Sequence, residues 1–271
     1  PARGLKATMG RLSTQEAKPF ADATAEIRLQ IDRAQELGLR VLINTGTGKS
    51  EHYDTWYRVM AFAAAYGADR GVQIVTKPHG GVNAAAAELL KCLEKVNHAN
   101  FGVWYDPGNV LFYTGKDSLV ELEPVVKHVS AFVGKDCVAQ NGDAMIQFGQ
   151  GKVDFAGILR RLKRADFKGP IWIETCAIGD TPAATTANAK ANREFLERDK
   201  IGFAVNLLVG GDADTLKPGG VHVYEIEYPA SLIHDGGSLS YGTNVAGTVT
   251  HYLRSTPYIG TDETPSPQSV K

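Results

Sequence analysis

A handful of charged residues stand where an unpartnered charge would be costly. Glu174 closes the apolar run Ile171-Trp172-Ile173, and an acidic residue at such a place is ordinarily paired, metal-ligating or catalytic. Asp106 closes Phe101–Tyr105 and opens Asp106-Pro107-Gly108-Asn109, which also reads as an ordinary turn. Lys77-Pro78-His79-Gly80-Gly81 follows the run Gly71–Thr76. Pro78 fixes φ and removes a donor, the glycines permit close backbone approach, and a period of two puts Gln73, Val75, Lys77 and His79 on one face. Such rigid punctuation suits a positioned pair better than a solvent-facing lysine beside a turn histidine. Lys135 and Asp136 end a further run, Val129–Val133. His98, His128, His222, His234 and His251 share no spacing that implies a site.

The elements that must position these groups alternate. Apolar runs at Leu39–Asn44, Gly71–Thr76, Phe101–Tyr105, Val129–Val133 and Pro170–Ile173 predict strands, with a further one near Leu5–Met9. Helical spacing marks Thr24–Leu37, Tyr53–Tyr66, Asn83–Val96, Ser118–Lys127, Phe155–Ala165 and Thr186–Arg198. Repeats of roughly 30 residues are the size of a βα unit joining parallel strands. Such units form a barrel or an open doubly wound sheet. Polar residues at successive strand ends (Asn44, Lys77 with His79, Asp106, Lys135 with Asp136, Glu174) favour the barrel, whose strand C-termini share one mouth. The expected architecture is an α/β, TIM-barrel-like repeat over residues 1–200 that lacks its first units. A β-rich extension over 201–255 and a disordered tail over 256–271 complete the chain. An incomplete barrel would expose sheet edges, which favour a homo-oligomer unless they are covered.

Composition narrows the function. Across 271 residues, 29 Lys and Arg balance 30 Asp and Glu, which speaks against a nucleic-acid or membrane-surface partner. No apolar run is long enough to cross a bilayer, and the first residues lack the pattern of a secretion signal. Three cysteines without a CxxC argue against a disulfide framework or a structural zinc site, so a reducing, cytoplasmic setting is expected. Thr45-Gly46-Thr47-Gly48-Lys49-Ser50 is no phosphate loop, because the early glycine position of GxxxxGK[ST] holds Ile43.

Taken in order, Lys77–Gly81 (KPHGG), Tyr105–Asn109 (YDPGN), Gly134-Lys135-Asp136-Cys137, Gly149–Phe155 (GQGKVDF) and Ile173-Glu174-Thr175 carry a resemblance. From about Ala17 to Arg198 the chain resembles the xylose-isomerase-like TIM-barrel superfamily, the sugar phosphate isomerase/epimerase group. The resemblance implies an isomerase of carbohydrate metabolism that moves a proton next to a carbonyl through a metal-stabilised enediolate. It implies a sugar or sugar derivative as small-molecule partner, and manganese, magnesium or cobalt as cofactor. It makes Asp106 and Glu174 metal-binding carboxylates, and Glu174 also the acid/base. Two further ligand positions depart from the family, a glutamate being replaced by Lys77 and a histidine by Val133. Either His79 completes a metal site with Asp106 and Glu174, or Lys77 and Lys135 stabilise the enediolate as fixed cations. His79, Asn109 and Trp104 are expected to contact substrate. Two alternatives stand beside the isomerase: a keto-glycoside lyase or deglycosidase acting by β-elimination, and a non-catalytic sugar-binding or assembly protein.

Overall fold

The strands form where β-branched and aromatic residues run together. In the computed structural model they are β1 (Met9–Arg11), β2 (Val41–Asn44), β3 (Gln73–Thr76), β4 (Phe101–Tyr105), β5 (Val129–Gly134) and β6 (Ile171–Glu174). The structure describes residues 7–198 and, beyond them, the backbone of β7 (Val205–Val209) and β8 (Tyr224–Ile226). The rest of the expected extension and the 256–271 tail lie outside the described residues. Strands β1 to β7 pair in parallel, each with its neighbour in sequence. Strand β8 pairs antiparallel with β7 and comes near β1. A strand order that never reverses is the winding of a barrel, since a doubly wound sheet needs a switch point.

The helices are α1 (Phe20–Glu36), α2 (Tyr53–Ala68), α3 (Ala86–Val96), α4 (Pro107–Thr114), α5 (Ser118–Leu122), α6 (Phe155–Arg164) and α7 (Pro182–Arg198). Most match the expected helices; α1 and α7 begin four residues earlier than expected, and three other local differences have a visible cause. Asp-Pro-Gly at 106–108 starts α4 instead of making a simple turn. The Asp106 carboxylate accepts the Asn109 N–H at 2.8 Å and Pro107 takes the first helical position, where no N–H is needed. The helix expected over Ser118–Lys127 stops at Leu122, because Pro124 cannot continue it. The helix expected from Asn83 begins at Ala86, because the Asn83 side chain is engaged with the preceding strand. Among the described residues no helix is long and apolar enough to cross a membrane.

Strand alternation divides the core into two layers. One face packs against the helices, with Leu42, Ile74, Val103, Phe132 and Ile171 buried there. The other gathers Met9, Ile43, Val75, Trp104, Ala131, Val133 and Trp172 into a separate inner cluster. Trp104 and Trp172 stack at its centre, with ring centroids 5.3 Å apart. Because alternation has period two, the next position on that face is Arg11, Lys77, Asp106, Lys135 and Glu174 on five different strands. The inner apolar layer is therefore the floor on which the charged residues stand.

Candidate functional site

At the C-terminal ends of the strands these charges meet. The Lys77 ammonium donates to Asp106 Oδ2 at 3.0 Å and to Glu174 Oε2, and Lys135 Nζ donates to Glu174 Oε1 at 3.1 Å. Asp106 is fully buried, Lys77 is 5% exposed, and the Lys135 and Glu174 side chains are only slightly more open. Charges this deep are tolerated only when paired and hydrogen-bonded, and the four form one neutral lattice. Both Glu174 oxygens are engaged, whereas Asp106 divides its oxygens between Lys77 and the start of α4.

His79 sits at the edge of this lattice. Asn109 Nδ2 donates to Pro78 O at 2.7 Å and lies 3.2 Å from His79 Nδ1, a contact that suits the tautomer with its proton on Nε2. Tyr113, one turn further along α4, packs its ring 4.8 Å from the imidazole. Asn83, which no motif in the sequence singles out, pins the same loop from beneath. Its Nδ2 donates to Thr76 Oγ1 and Lys77 O at 2.8 and 2.7 Å, and its Oδ1 accepts the His79 N–H at 3.2 Å. Gly81 is needed because φ is +58° and a Cβ would lie 2.2 Å from Thr47 O. Gly108 lets Lys135 pass: a Cβ there would meet Lys135 O at 2.6 Å and Cγ at 2.7 Å.

Thr175, directly after Glu174, has φ +68°, a region that β-branched residues rarely enter. Its Oγ1 donates to Ala144 O at 2.9 Å and its carbonyl accepts from Asn192 Nδ2 at 3.1 Å. These bonds hold the sharp turn that leaves Glu174 pointing into the mouth while the chain departs outward. Strain of this kind persists where surrounding structure imposes it.

Two strand-end residues expected at the mouth face elsewhere. Asn44 takes the opposite parity, with Oδ1 accepting from Gly46 N and Trp56 Nε1 and Nδ2 donating to Leu12 O. Asp136 also points away and organises the Gly149–Val153 loop. Its Oδ1 accepts from Cys137 N (2.8 Å) and Val153 N (3.2 Å), and its Oδ2 from Gly149 N (2.8 Å) and Gly151 N (2.9 Å). Asp136→Ala should leave four backbone N–H donors without the two carboxylate oxygens they share. A loss of about 3 kcal/mol is expected in denaturant unfolding, with amide exchange accelerated at Gly149, Gly151 and Val153. Unchanged exchange there would show that the loop is held by other means. Trp104, expected to contact substrate, is 2% exposed and stacked in the floor, so it supports the site from below. Arg11 was missed as well: it occupies the mouth-facing position of a three-residue strand, and its only signal is its spacing of two from Met9.

Electrostatics follow from this packing. Burial alone would lower the Lys77 pKa, but the Glu174 and Asp106 carboxylates outweigh it and raise the value, so the ammonium persists. Burial pushes Asp106 upward against the pull of Lys77. Burial would also raise Glu174, yet Lys135 and Lys77 together hold it well below the ordinary glutamate range. Burial first, then the Lys77 charge, lower His79 from 6.5 to about 4, leaving it neutral near pH 7. A histidine with a lowered folded value stabilises the protein above its unfolded pKa and loses that contribution as pH falls toward the folded one. Between pH 6.5 and 4.5, wild type should lose about 2 kcal/mol more than His79→Gln. Urea titrations at several pH values check this, and parallel losses in the two proteins would remove His79 as the source.

The donor set does not fit a divalent metal. A hard cation needs several oxygen or imidazole donors converging on one point, and here an ammonium stands between the two carboxylates. His79, the third expected ligand, turns its Nδ1 to Asn109. Among the described residues no group of three or more His, Cys, Asp or Glu side chains is placed to hold a metal ion.

Parallel strands wound in sequence order, with charged side chains converging on the C-terminal mouth, define an α/β barrel-type protein with its site at the strand ends. The chain belongs to the xylose isomerase-like TIM barrel family, whose model matches residues 6–198. Among solved structures it is similar to a xylose isomerase domain protein from Planctomyces limnophilus, at 22% identity over 68% of each chain with a TM-score of 0.57. It is similar to a D-allulose 3-epimerase from Methylomonas sp., at 20% identity over 69% of this chain and 72% of that one, with a TM-score of 0.51. A xylose isomerase-like TIM barrel protein from Mycobacterium smegmatis, solved in complex with magnesium, is 13% identical over 72% and 73% of the two chains, with a TM-score of 0.56. At these identities the likeness establishes the fold. None of the curated proteins matches the chain in sequence.

Proposed function

We propose that the chain is a sugar isomerase/epimerase-type enzyme that moves a proton next to the carbonyl of a sugar or keto-sugar. The observation that supports it most is the convergence of Glu174 with two ammonium groups at the barrel mouth. Removing a proton beside a carbonyl places negative charge on the carbonyl oxygen. Catalysis then needs a base on carbon and fixed positive charge on oxygen. Glu174 is the base in this reading, with Lys77 and Lys135 the cations. Held by both lysines, the resting carboxylate is weakly basic. A substrate oxygen that takes the Lys135 hydrogen bond frees Glu174 Oε1 and restores its basicity at the moment the charge develops. His79, neutral and steadied by Asn109, is placed to hydrogen-bond a sugar hydroxyl. Returning the proton to the neighbouring carbon gives isomerisation, whereas epimerisation requires a second acid to deliver a proton to the opposite face of the same carbon.

Membership in a family whose solved neighbours include sugar epimerases supports the substrate class. A cytoplasmic setting is part of the reading, supported by three buried cysteines that are unpaired. One feature favours a second reading, non-catalytic sugar binding: both oxygens of Glu174 are ion-paired, as in a structural carboxylate. Keto-sugars incubated with the protein in deuterated water separate the outcomes by mass. An isomerase or epimerase should wash in deuterium beside the carbonyl. A lyase acting on a keto-glycoside should release the β-leaving group after the same proton loss, and a binding protein should shift the melting temperature with no label. The absence of both label and cleavage across ketoses and their acids would end the enzymatic reading.

A further inference from the structure

We infer that the Lys77 ammonium is a resident cation standing at the place where a metal-dependent site of this fold would hold its divalent ion. The site therefore recognises substrate oxygen without binding such an ion. The inference goes beyond the proposed turnover. It rests on geometry at the mouth, so its failure would leave the isomerase reading open.

Three observations carry it. First, the ammonium joins carboxylates from two strands, Asp106 at 3.0 Å and Glu174, which lie 29 and 97 residues away in the chain. A single cation shared by two converging carboxylates is the role a metal ion plays, here performed by a side chain that cannot dissociate. Second, Lys135 takes the remaining Glu174 oxygen at 3.1 Å, and the α4 N-terminus takes the other Asp106 oxygen at 2.8 Å. Each of the four carboxylate oxygens thus already accepts from a donor of this chain. Third, like charge repels: a divalent ion entering between Asp106 and Glu174 would meet the buried Lys77 ammonium and, beside it, Lys135. An ammonium has three N–H bonds, and the two carboxylates use two of the Lys77 set, which leaves one for a carbonyl or enediolate oxygen.

The test needs no substrate. Wild-type protein and Lys77→Glu are each titrated with divalent manganese, free ion being followed by electron paramagnetic resonance and melting temperature recorded in parallel. Wild type should bind no stoichiometric ion and show no manganese-dependent shift. Lys77→Glu replaces the ammonium with a third carboxylate, and should bind one ion about 100-fold or more tighter than wild type, since ligand charge sets affinity for hard cations. Its melting temperature should rise with manganese. If Lys77→Glu does not fold, Lys77→Gln serves: it leaves two carboxylates facing an uncharged amide, and manganese should stabilise it but not wild type. Stoichiometric manganese bound by wild type and lost in Asp106→Asn would overturn the inference. Lack of manganese binding by every folded Lys77 variant would overturn it too, by showing that the ammonium does not stand at a cation position.

Discussion

Lys77→Met is expected to cost about 3–5 kcal/mol at pH 7, because removing one member of a buried ion pair leaves its partner charged and uncompensated. Asp106 is fully buried and Lys77 is its only cationic hydrogen-bond partner among the described residues. Without the ammonium, only the Lys135 charge and the Asn109 N–H oppose the burial that already raises the Asp106 pKa. The loss should therefore shrink as pH falls and Asp106 takes up a proton: the variant's folded state binds a proton over a range where its unfolded state does not. Melting should drop by on the order of 10 °C at pH 7 for a domain of this size. Urea unfolding of both proteins at pH 7 and pH 5 measures the deficit and its slope. A deficit under about 1 kcal/mol, or one that grows toward pH 5, would mean that Lys77 does not neutralise Asp106. Lys77→Arg should recover only part of the loss, since a planar guanidinium cannot reproduce the geometry with which one ammonium joins two strands.

The second large effect is on chemistry. Glu174→Gln keeps the shape of the side chain and removes the only group in the lattice that can accept a proton from carbon while leaving Asp106 paired to Lys77. Deuterium wash-in should fall about 10²–10⁴-fold, the range set by a positioned acid/base group, and the loss should appear in kcat more than in KM. Stability should change less than in Lys77→Met, because the amide oxygen can still accept from one lysine and Lys135 lies closer to solvent. Comparing the two variants at matched folded fraction separates chemistry from folding. Wash-in retained within about 10-fold of wild type would remove Glu174 as the base and move attention to the neutral His79 imidazole.

Much of this molecule could be read along the chain. Five strands follow from short β-branched and aromatic runs, and the βα period of about 30 residues predicts parallel pairing before any contact is known. Glu174 and Asp106 stand out because each ends an apolar run where an unpaired acid would be costly. The same reasoning could not separate Asp136 from Lys135, or Asn44 from Lys77. Adjacent strand residues face opposite sides, and the irregular pairing at Val103/Trp104 shifts the count by an amount that composition does not encode. Trp104 illustrates the limit from the other side. Its place beside Asp106 suggests substrate contact, yet stacking on Trp172, 68 residues on, buries it in the floor.

The residues able to carry charge, the strands that end in them and the glycines that let the loops close are properties of the chain itself, since propensity and alternation act over a few neighbours. Which charge meets which is a property of the assembled barrel. Parallel pairing and register bring Lys77 between Asp106 and Glu174, and that meeting turns an expected metal-binding pair of carboxylates into one already held by an ammonium. Coulomb energy depends on distance in space and on burial, and neither is set until the strands have paired around the inner layer.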